Sequence, residues 1–413
     1  MNMKVLVSAY ACEPHKGSEP GVGWNWVKQI ARFHEVWVIT RANNKENIEE
    51  ELNRNPISNI HFIYYDLPKW MYFWKRGQRG VYFYYCFWQL GIFFLAKKLH
   101  KRHQFDIVHH LTFGNNWMPT FMPFLNIPFI WGPIGGAETV PKNFKSEFSF
   151  KWRYYETLRN FVQWWALKLD PIIKMALKRS TIIIARTKIT QNVIPKKYKS
   201  KTVLILESGI SMEDFSYKKM GPKKNNNFKI LMVGRLIYLK GFSLAIKAFA
   251  KLVKEVSNSV FFIIGGGPEM KNLKKLSKRL AIEDKVQFLG QLSRTEVLKY
   301  MAEADVFLYP SLKDAGAWVL YEAMLVGLPV VCLDYAGPGE IVTKECGIKV
   351  KVETPEQVVN DLASALKRLA LDNDLRYKLS QGAKKRAAYF AWDRKGEIIK
   401  NIYKNFWGEQ NRK

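Results

Sequence analysis

Short apolar runs alternate with stretches of helical period from one end of the chain to the other. The runs Lys4–Ala9, Val36–Thr40, Ile60–Tyr65, Ile107–His110, Pro128–Trp131, Thr181–Ala185 and Thr202–Leu206 read as one series of strands. A second series follows at Lys229–Val233, Val260–Gly265, Val286–Leu289, Val306–Tyr309, Pro329–Leu333 and Ile348–Val350. Continuous apolar runs bounded by Gly, Pro or Asn suit parallel strands covered on both faces, because such strands have no polar side to show to water. Two series separated by helical stretches predict an α/β protein of two doubly wound, Rossmann-like domains, with a central cleft between them as the default ligand site.

The stretch Ser216–Phe228, "SYKKMGPKKNNNF", is polar, aperiodic and carries Gly-Pro and an Asn run, which marks a boundary. The expected division is an N-terminal domain over 1–215, a C-terminal domain over 216–390, and a terminal helix over 391–413. In that helix Ile398, Ile399, Ile402, Tyr403 and Phe406 share one side, which suits packing on its own domain or crossing back to the first. The opening "MNMKVLVSAYAC" turns polar too soon for a signal peptide and reads as the first buried strand. No stretch reaches the ~18 uninterrupted apolar residues of a membrane span. Val81–Ala96 comes closest, but Gln89 and Gly91 interrupt it, with Lys75, Arg76 and Arg79 before it and Lys97, Lys98, Lys101 and Arg102 after it.

Composition changes this picture in two respects. The 413 residues hold 65 Lys and Arg against 36 Asp and Glu, a formal excess of 29 positive charges, so anionic partners are expected. No Arg-rich arm, zinc-finger spacing or RNP-like motif is present, which argues against nucleic acid and leaves phosphorylated substrates and an anionic membrane surface. Cys12, Cys86, Cys332 and Cys346 are scattered and lack CxxC spacing, as befits reduced thiols in a cytoplasmic protein; neither a disulfide framework nor a metal site is expected.

Three loops carry candidate chemistry. In "LMVGRLIYLKGF" a strand ends at Gly234 and Arg235, and Lys240-Gly241 precede a helix. Glycine admits a phosphate close to the backbone, and two cations beside a helix N-terminus suit its charge; a plain strand–turn–helix with two solvated cations fits the same residues. "FFIIGGGPEM" lacks the GxGxxG pattern with its ribose-binding acid, so Gly265–Gly267 read equally as a tight steric turn. "YPSLKDAGAWVLYEAMLVGLPVV" is the richest. It sets Asp314 at the mouth of a helix and Glu322 about a turn inside, with the amides of Gly316, Ala317 and Trp318 facing outward, ready for a diphosphate. Carboxylates accept two hydrogen bonds each and suit sugar hydroxyls; the bland alternative is an acidic cap and an exposed helix Glu.

Taken together, "GRLIYLKG", "GGGPEM", "VQFLGQLSRTEV", "SLKDAGAWVLYEAMLVGLPVV" and "FAWDRKGEIIKNIYKNF" resemble the retaining glycosyltransferases of family 4, which have the GT-B fold. The resemblance covers the C-terminal half closely. It extends more loosely to "ACEPHKGSEPGVGW" and "FDIVHHLTFG". It implies a metal-independent hexosyltransferase using a UDP- or GDP-sugar, of the exopolysaccharide or cell-surface glycan type. The implied roles are neutralisation of the diphosphate by Arg235 and Lys240 beside Gly234, and ribose binding by Glu322. Asp314, where the family usually has Glu, would contact the donor sugar, and the backbone at Leu289–Gln291 would line the base. Gly21 and Gly23, in a Gly-rich loop after the first strand, would face the diphosphate from the other domain. The family's active-site His falls at Leu111 by strict count, with His110 or Thr112 as substitutes and His110 chosen; His109 and His110 also read as strand residues on opposite faces. Glu19 stands as an acceptor-binding candidate or a helix cap.

The first half also holds "WMYFWKRGQRGVYFYYCFWQLGIFFLAKKL" and "KWRYYETLRNFVQWWALKLDPIIKMALKR". Trp and Tyr beside Lys and Arg suit a membrane interface; two core helices with solvated flanks would show the same composition. The expected partners are a nucleotide sugar, a glycan or lipid-linked acceptor and an anionic membrane surface, at the inner face of the cell membrane. A non-catalytic nucleotide-sugar- or membrane-binding subunit of a transferase complex is the alternative. A phosphorylase or epimerase would need a cofactor lysine or a His–carboxylate set that is not evident.

Overall fold

The computed structural model describes residues 2–75, 77, 79–148, 150–211 and 227–410, the side chains of 146 and 405–410 excepted. Its chain divides into two compact units: 1–137, 158–208 and 392–413 form the first, and 138–157 with 209–391 form the second.

The first unit is built on β1 (Lys4–Ala9), β2 (Glu35–Thr40), β3 (Ile60–Tyr64), β4 (Ile107–Thr112), β5 (Phe129–Ile134), β6 (Ile182–Ala185) and β7 (Thr202–Leu204). They form one sheet in the order β3-β2-β1-β4-β5-β6-β7, every pair parallel. The second contains β8 (Phe228–Val233), β9 (Ser259–Ile264), β10 (Val286–Gly290), β11 (Val306–Tyr309), β12 (Val330–Leu333) and β13 (Gly347–Val350), in the parallel order β10-β9-β8-β11-β12-β13. All thirteen expected strands are present, because their signal was burial on both faces: every residue of β4, β5, β11 and β12 is buried. Each sheet reverses its strand order once, between β1 and β4 and between β8 and β11, so each has a switch point where ligands of open α/β sheets bind beyond the carboxyl ends.

Part of the expected first domain groups with the second unit. Residues 138–157 lie within the expected first domain yet belong to the second unit, because Val140, Phe144 and Phe148 enter its core. Trp152 packs against Tyr238 at 4.6 Å between ring centroids, and Glu156 accepts from Lys313 Nζ at 2.6 Å and the Tyr238 hydroxyl at 3.0 Å. The terminal helix Trp392–Gln410 groups with the first unit. Its Tyr403 hydroxyl meets His109 Nδ1 at 2.7 Å, and Lys395 donates to the carbonyls of Leu206 and Ser208. Ile399, Ile402 and Tyr403 are buried there, but Ile398, expected on the same side, is exposed. The Phe406 side chain, Arg76 and most of the stretch expected to carry the boundary lie outside the described residues.

The helix Ser18–Ala31 begins earlier than expected and holds both Gly21 and Gly23, which are buried within it. They are therefore helical residues and not a loop. The reason for glycine at 23 is close approach: a Cβ there would stand 2.1 Å from the Ala11 carbonyl oxygen and 2.9 Å from Thr112 Cγ2. Gly23→Ala forces this helix off the ends of β1 and β4 and is expected to cost about 1–3 kcal/mol, seen as a lowered melting temperature. Gly17→Ala, whose Cβ meets nothing within 4 Å, is the control and leaves stability nearly unchanged.

Candidate functional site

In the second unit the loops at the carboxyl ends of the strands are knitted edge to edge. The Leu236 N–H donates to Gly266 O at 2.9 Å, and the Gly265 N–H to Gly290 O at 2.7 Å. Gly265 has φ +136, and a Cβ there would lie 1.9 Å from Gly234 O, so the glycine run lets the loops after β8 and β9 touch. Across the switch point the Leu312 N–H donates to Leu239 O at 2.9 Å, and the Gly337 N–H to Asp314 O at 2.9 Å. Gly241 has φ +73, and a Cβ there would stand 2.0 Å from Pro310 O. The loops after β8 and β11 thus meet backbone to backbone, which brings Lys240 to Asp314.

Lys240 Nζ is held by the Asp314 carboxylate and, at 2.9 Å, by the Tyr309 hydroxyl. Tyr309 in turn donates to the same Asp314 oxygen at 2.5 Å. The other Asp314 oxygen accepts from the Ala317 N–H at 3.2 Å. Burial opposes the charge on Lys240, but Tyr309 and Asp314 more than offset it and raise its pKa above the ordinary lysine value. Burial likewise opposes the charge on Asp314; the Lys240 ammonium, the Tyr309 hydroxyl and the Ala317 N–H hold its pKa below the ordinary value. The pair is charged at every physiological pH. Arg235, just beyond β8, is exposed and has no side-chain partner among the described residues.

Asp314 therefore spends its carboxylate inside the protein, on a cation, a phenol and a backbone amide. Of the three amides expected to face outward, that of Ala317 is turned to Asp314. Ala317 is the left-handed residue (φ 39) that precedes the helix Trp318–Leu325, and Gly316 and Trp318 flank it, both partly exposed. Glu322 sits one turn into that helix, mostly buried, and accepts from Arg294 Nε at 2.8 Å. Leu289 ends β10 with Gly290, and the exposed Gln291 follows, its amide beside Gly266. Sequence reasoning missed Tyr309 and Arg294. Tyr309 read as the last apolar residue of a strand, and nothing in the spacing pairs Arg294 with Glu322.

The first unit holds Glu19, Gly21, Gly23 and His110. Glu19 does not cap its own helix. It accepts from the Phe113 N–H at 2.6 Å and from Arg186 at 3.3 Å, and Arg186 also pairs with Glu207 at 2.7 Å. Arg186, which no sequence signal marked, thus joins two carboxylates beyond the carboxyl ends of β4 and β6. His110, expected as the active-site histidine, lies buried in the core of the first unit. It is 1% exposed, and its ring nitrogens lie 3.1 Å from the Tyr85 hydroxyl and 3.3 Å from Ser8 Oγ. Both faces of β4 are covered, so strand alternation buried His109 and His110 alike.

These observations define the class first. Two parallel Rossmann-like sheets, each with one switch point, are the GT-B fold, and the second unit holds Lys240 fixed by Asp314 and Tyr309 at its switch point. The comparisons carry this further. Residues 214–386 match the family described as glycosyl transferases group 1. The chain is similar to the lipopolysaccharide core biosynthesis glycosyltransferase LpsD of Rhizobium meliloti, with 32% identity over 38% of this chain and 43% of that one. It is also 32% identical to the amylovoran biosynthesis glycosyltransferase AmsK of Erwinia amylovora, over 41% of this chain and 42% of that one. It spans about half the length of the curated relatives it matches. Among solved structures, Anabaena HepE in complex with UDP and glucose superposes with a TM-score of 0.61 at 17% identity, over 98% of this chain and 100% of that one, a likeness of fold.

Burial lowers the pKa of His109 to about 4 and of His110 to about 3, with the neighbouring His109 adding to the second shift. Each ring folds neutral, and an unfolded chain takes up the protons below about pH 6.5, so stability present above that pH is lost as pH falls. Lowering pH from 7 to 5 is expected to cost about 2 kcal/mol for each ring, from 1.5 pH units at ~1.4 kcal/mol per unit. Thermal unfolding followed against pH checks this, and His110→Gln should flatten part of the slope.

Proposed function

We propose that the chain is a retaining glycosyltransferase that moves a hexose from a UDP- or GDP-sugar to a glycan or lipid-linked acceptor at an anionic membrane face, in cell-surface polysaccharide synthesis. The observation that carries this reading is the fixed charge at the second switch point: Lys240 locked in its charged form, with exposed Arg235 on the same loop. Departure of a nucleoside diphosphate builds negative charge, and preorganised cations at that point stabilise it without moving. The reading therefore assigns neutralisation of the leaving group to these two side chains and calls for no metal ion. It casts Asp314 as the group that positions Lys240. Glu322, held by Arg294, is the ribose ligand, and the backbone of 289–291 lines the base.

With His110 in the core, the reading assigns acceptor deprotonation to the departing diphosphate itself, in a front-face attack that retains configuration. The same burial, and the internal pairing of Asp314, are what favour a second reading: a nucleotide-sugar-binding subunit without turnover. Similarity to polysaccharide and lipopolysaccharide transferases supports the class of acceptor.

Nucleoside diphosphate release, measured on the purified full chain with a panel of nucleotide sugars, tests both. Lys240→Met and Glu322→Ala are each expected to lower turnover by about 10²–10³, the scale of losing one preorganised charge-stabilising group. Arg235→Ala should lose less, because its charge is solvated. Undiminished release in Lys240→Met and Glu322→Ala sinks the site assignment, whereas binding without release by the unaltered chain favours the subunit.

A further inference from the structure

The helix Val81–His103 buries Tyr84, Tyr85, Trp88 and Ile92 in the core of the first unit. Its opposite side is not polar. Phe83, Phe87, Leu90 and Phe94 follow one another at helical spacing and are all exposed, Phe83 at 72% and Phe94 at 63%. The stripe continues into exposed Lys97, Lys98 and Lys101. From Leu67 to Gln104 the chain has eight Lys and Arg and no Asp or Glu.

The part of the helix Phe150–Leu169 that belongs to the same unit repeats the arrangement. Leu158, Phe161, Trp165 and Leu169 run along one side and are exposed, Phe161 at 59%. Asp170, which ends this stretch, caps the helix Pro171–Arg179 through the amides of Ile172 and Ile173, at 2.7 and 3.1 Å. Burial pushes the Cys86 thiol up to about 11, with the charge of Asp170 adding to the shift. Exposed Lys168, Lys174 and Lys178 flank Asp170. Exposed aromatic and aliphatic stripes of this length on two helices of one unit mark an interaction face.

We infer that these two stripes form a monotopic docking face that lays the first unit on an anionic lipid bilayer, with the aromatic rings at headgroup depth and the flanking lysines against lipid phosphates. Charge complementarity selects this occupant: two basic rims beside aromatic stripes, with Asp170 engaged as a cap, match an anionic interface. A second copy of the chain would set basic rim against basic rim. Among the described residues no helix is long and apolar enough to cross a membrane, so the face lies on the bilayer and does not span it. The inference rests on the reading of a membrane-face acceptor and sharpens it. Attachment has an apolar component that salt does not screen, besides the electrostatic one that it does.

Flotation of the full chain with phosphatidylcholine vesicles, with and without phosphatidylglycerol, at low and high salt, tests this. The chain is expected to float with the anionic vesicles at low salt and to keep part of that binding at high salt. Lys97→Glu/Lys98→Glu/Lys101→Glu should remove the preference for phosphatidylglycerol. Phe83→Ser/Phe87→Ser/Phe94→Ser/Phe161→Ser/Trp165→Ser should lose at least about tenfold in partitioning at both salts, since all five rings are exposed and leave the core untouched. Melting temperature and stabilisation by UDP or GDP, measured on the same variants, should be unchanged. That separates a failed docking face from a failed donor reading, in which no nucleotide stabilises any form of the chain. No flotation at low salt, or equal flotation of the serine variant, overturns the inference. So does a dimer in light scattering that the serine substitutions dissociate without any vesicle binding.

Discussion

The contact on which the proposed donor site depends is the one between Lys240 and Asp314, closed into a triangle by the Tyr309 hydroxyl. A lysine this enclosed would ordinarily lose its proton affinity; here it gains. The gain requires a carboxylate that is itself stabilised, and the Ala317 N–H and Tyr309 provide for that. The loops that deliver the two charges come from strands adjacent in space at the switch point, β8 and β11. They meet only because Gly241 lets its backbone pass against Pro310. Strand order, glycine and ion pair form a single chain of cause.

That arrangement also accounts for the Asp in place of the usual Glu at 314. The carboxylate here reaches inward to Lys240 and sideways to Ala317, distances that a short side chain on the loop satisfies. In the proposed function its influence on a donor is exerted through the lysine. Glu322 differs: it is anchored by Arg294, whose own side chain is half exposed, so the carboxylate is oriented by a partner that solvent can reach.

Much of the fold was legible because burial on both faces leaves an unmistakable run of apolar residues, and each strand from Lys4 to Val350 was found that way. Loops rich in glycine were harder. Gly21 and Gly23 suggested a turn, whereas Gly23 is the point where a helix touches the Ala11 backbone, and a glycine signals close approach in either setting. Strand alternation offered His109 and His110 as residues of opposite faces, but it cannot tell that both faces are covered. The passage of 138–157 into the second unit was invisible, because chain order says nothing about which core Phe144 and Phe148 enter. Lys240 and Asp314 could each be singled out from their motifs, but their pairing spans 74 residues and only topology supplies it. Tyr309 was missed because it read as the last apolar residue of its strand.

The central claim is that Asp314 serves the diphosphate by keeping Lys240 charged and in place. Calorimetric affinities of the full chain and of Asp314→Asn for UDP and GDP, set against uridine and guanosine, test it most directly. The account predicts that the unaltered chain binds one of the diphosphates more tightly than its nucleoside. Asp314→Asn should forfeit about tenfold or more of that advantage, the scale of a charge-assisted contact, while nucleoside affinity stays the same. Equal diphosphate affinity in the two proteins, or a parallel loss for the nucleoside, would contradict it.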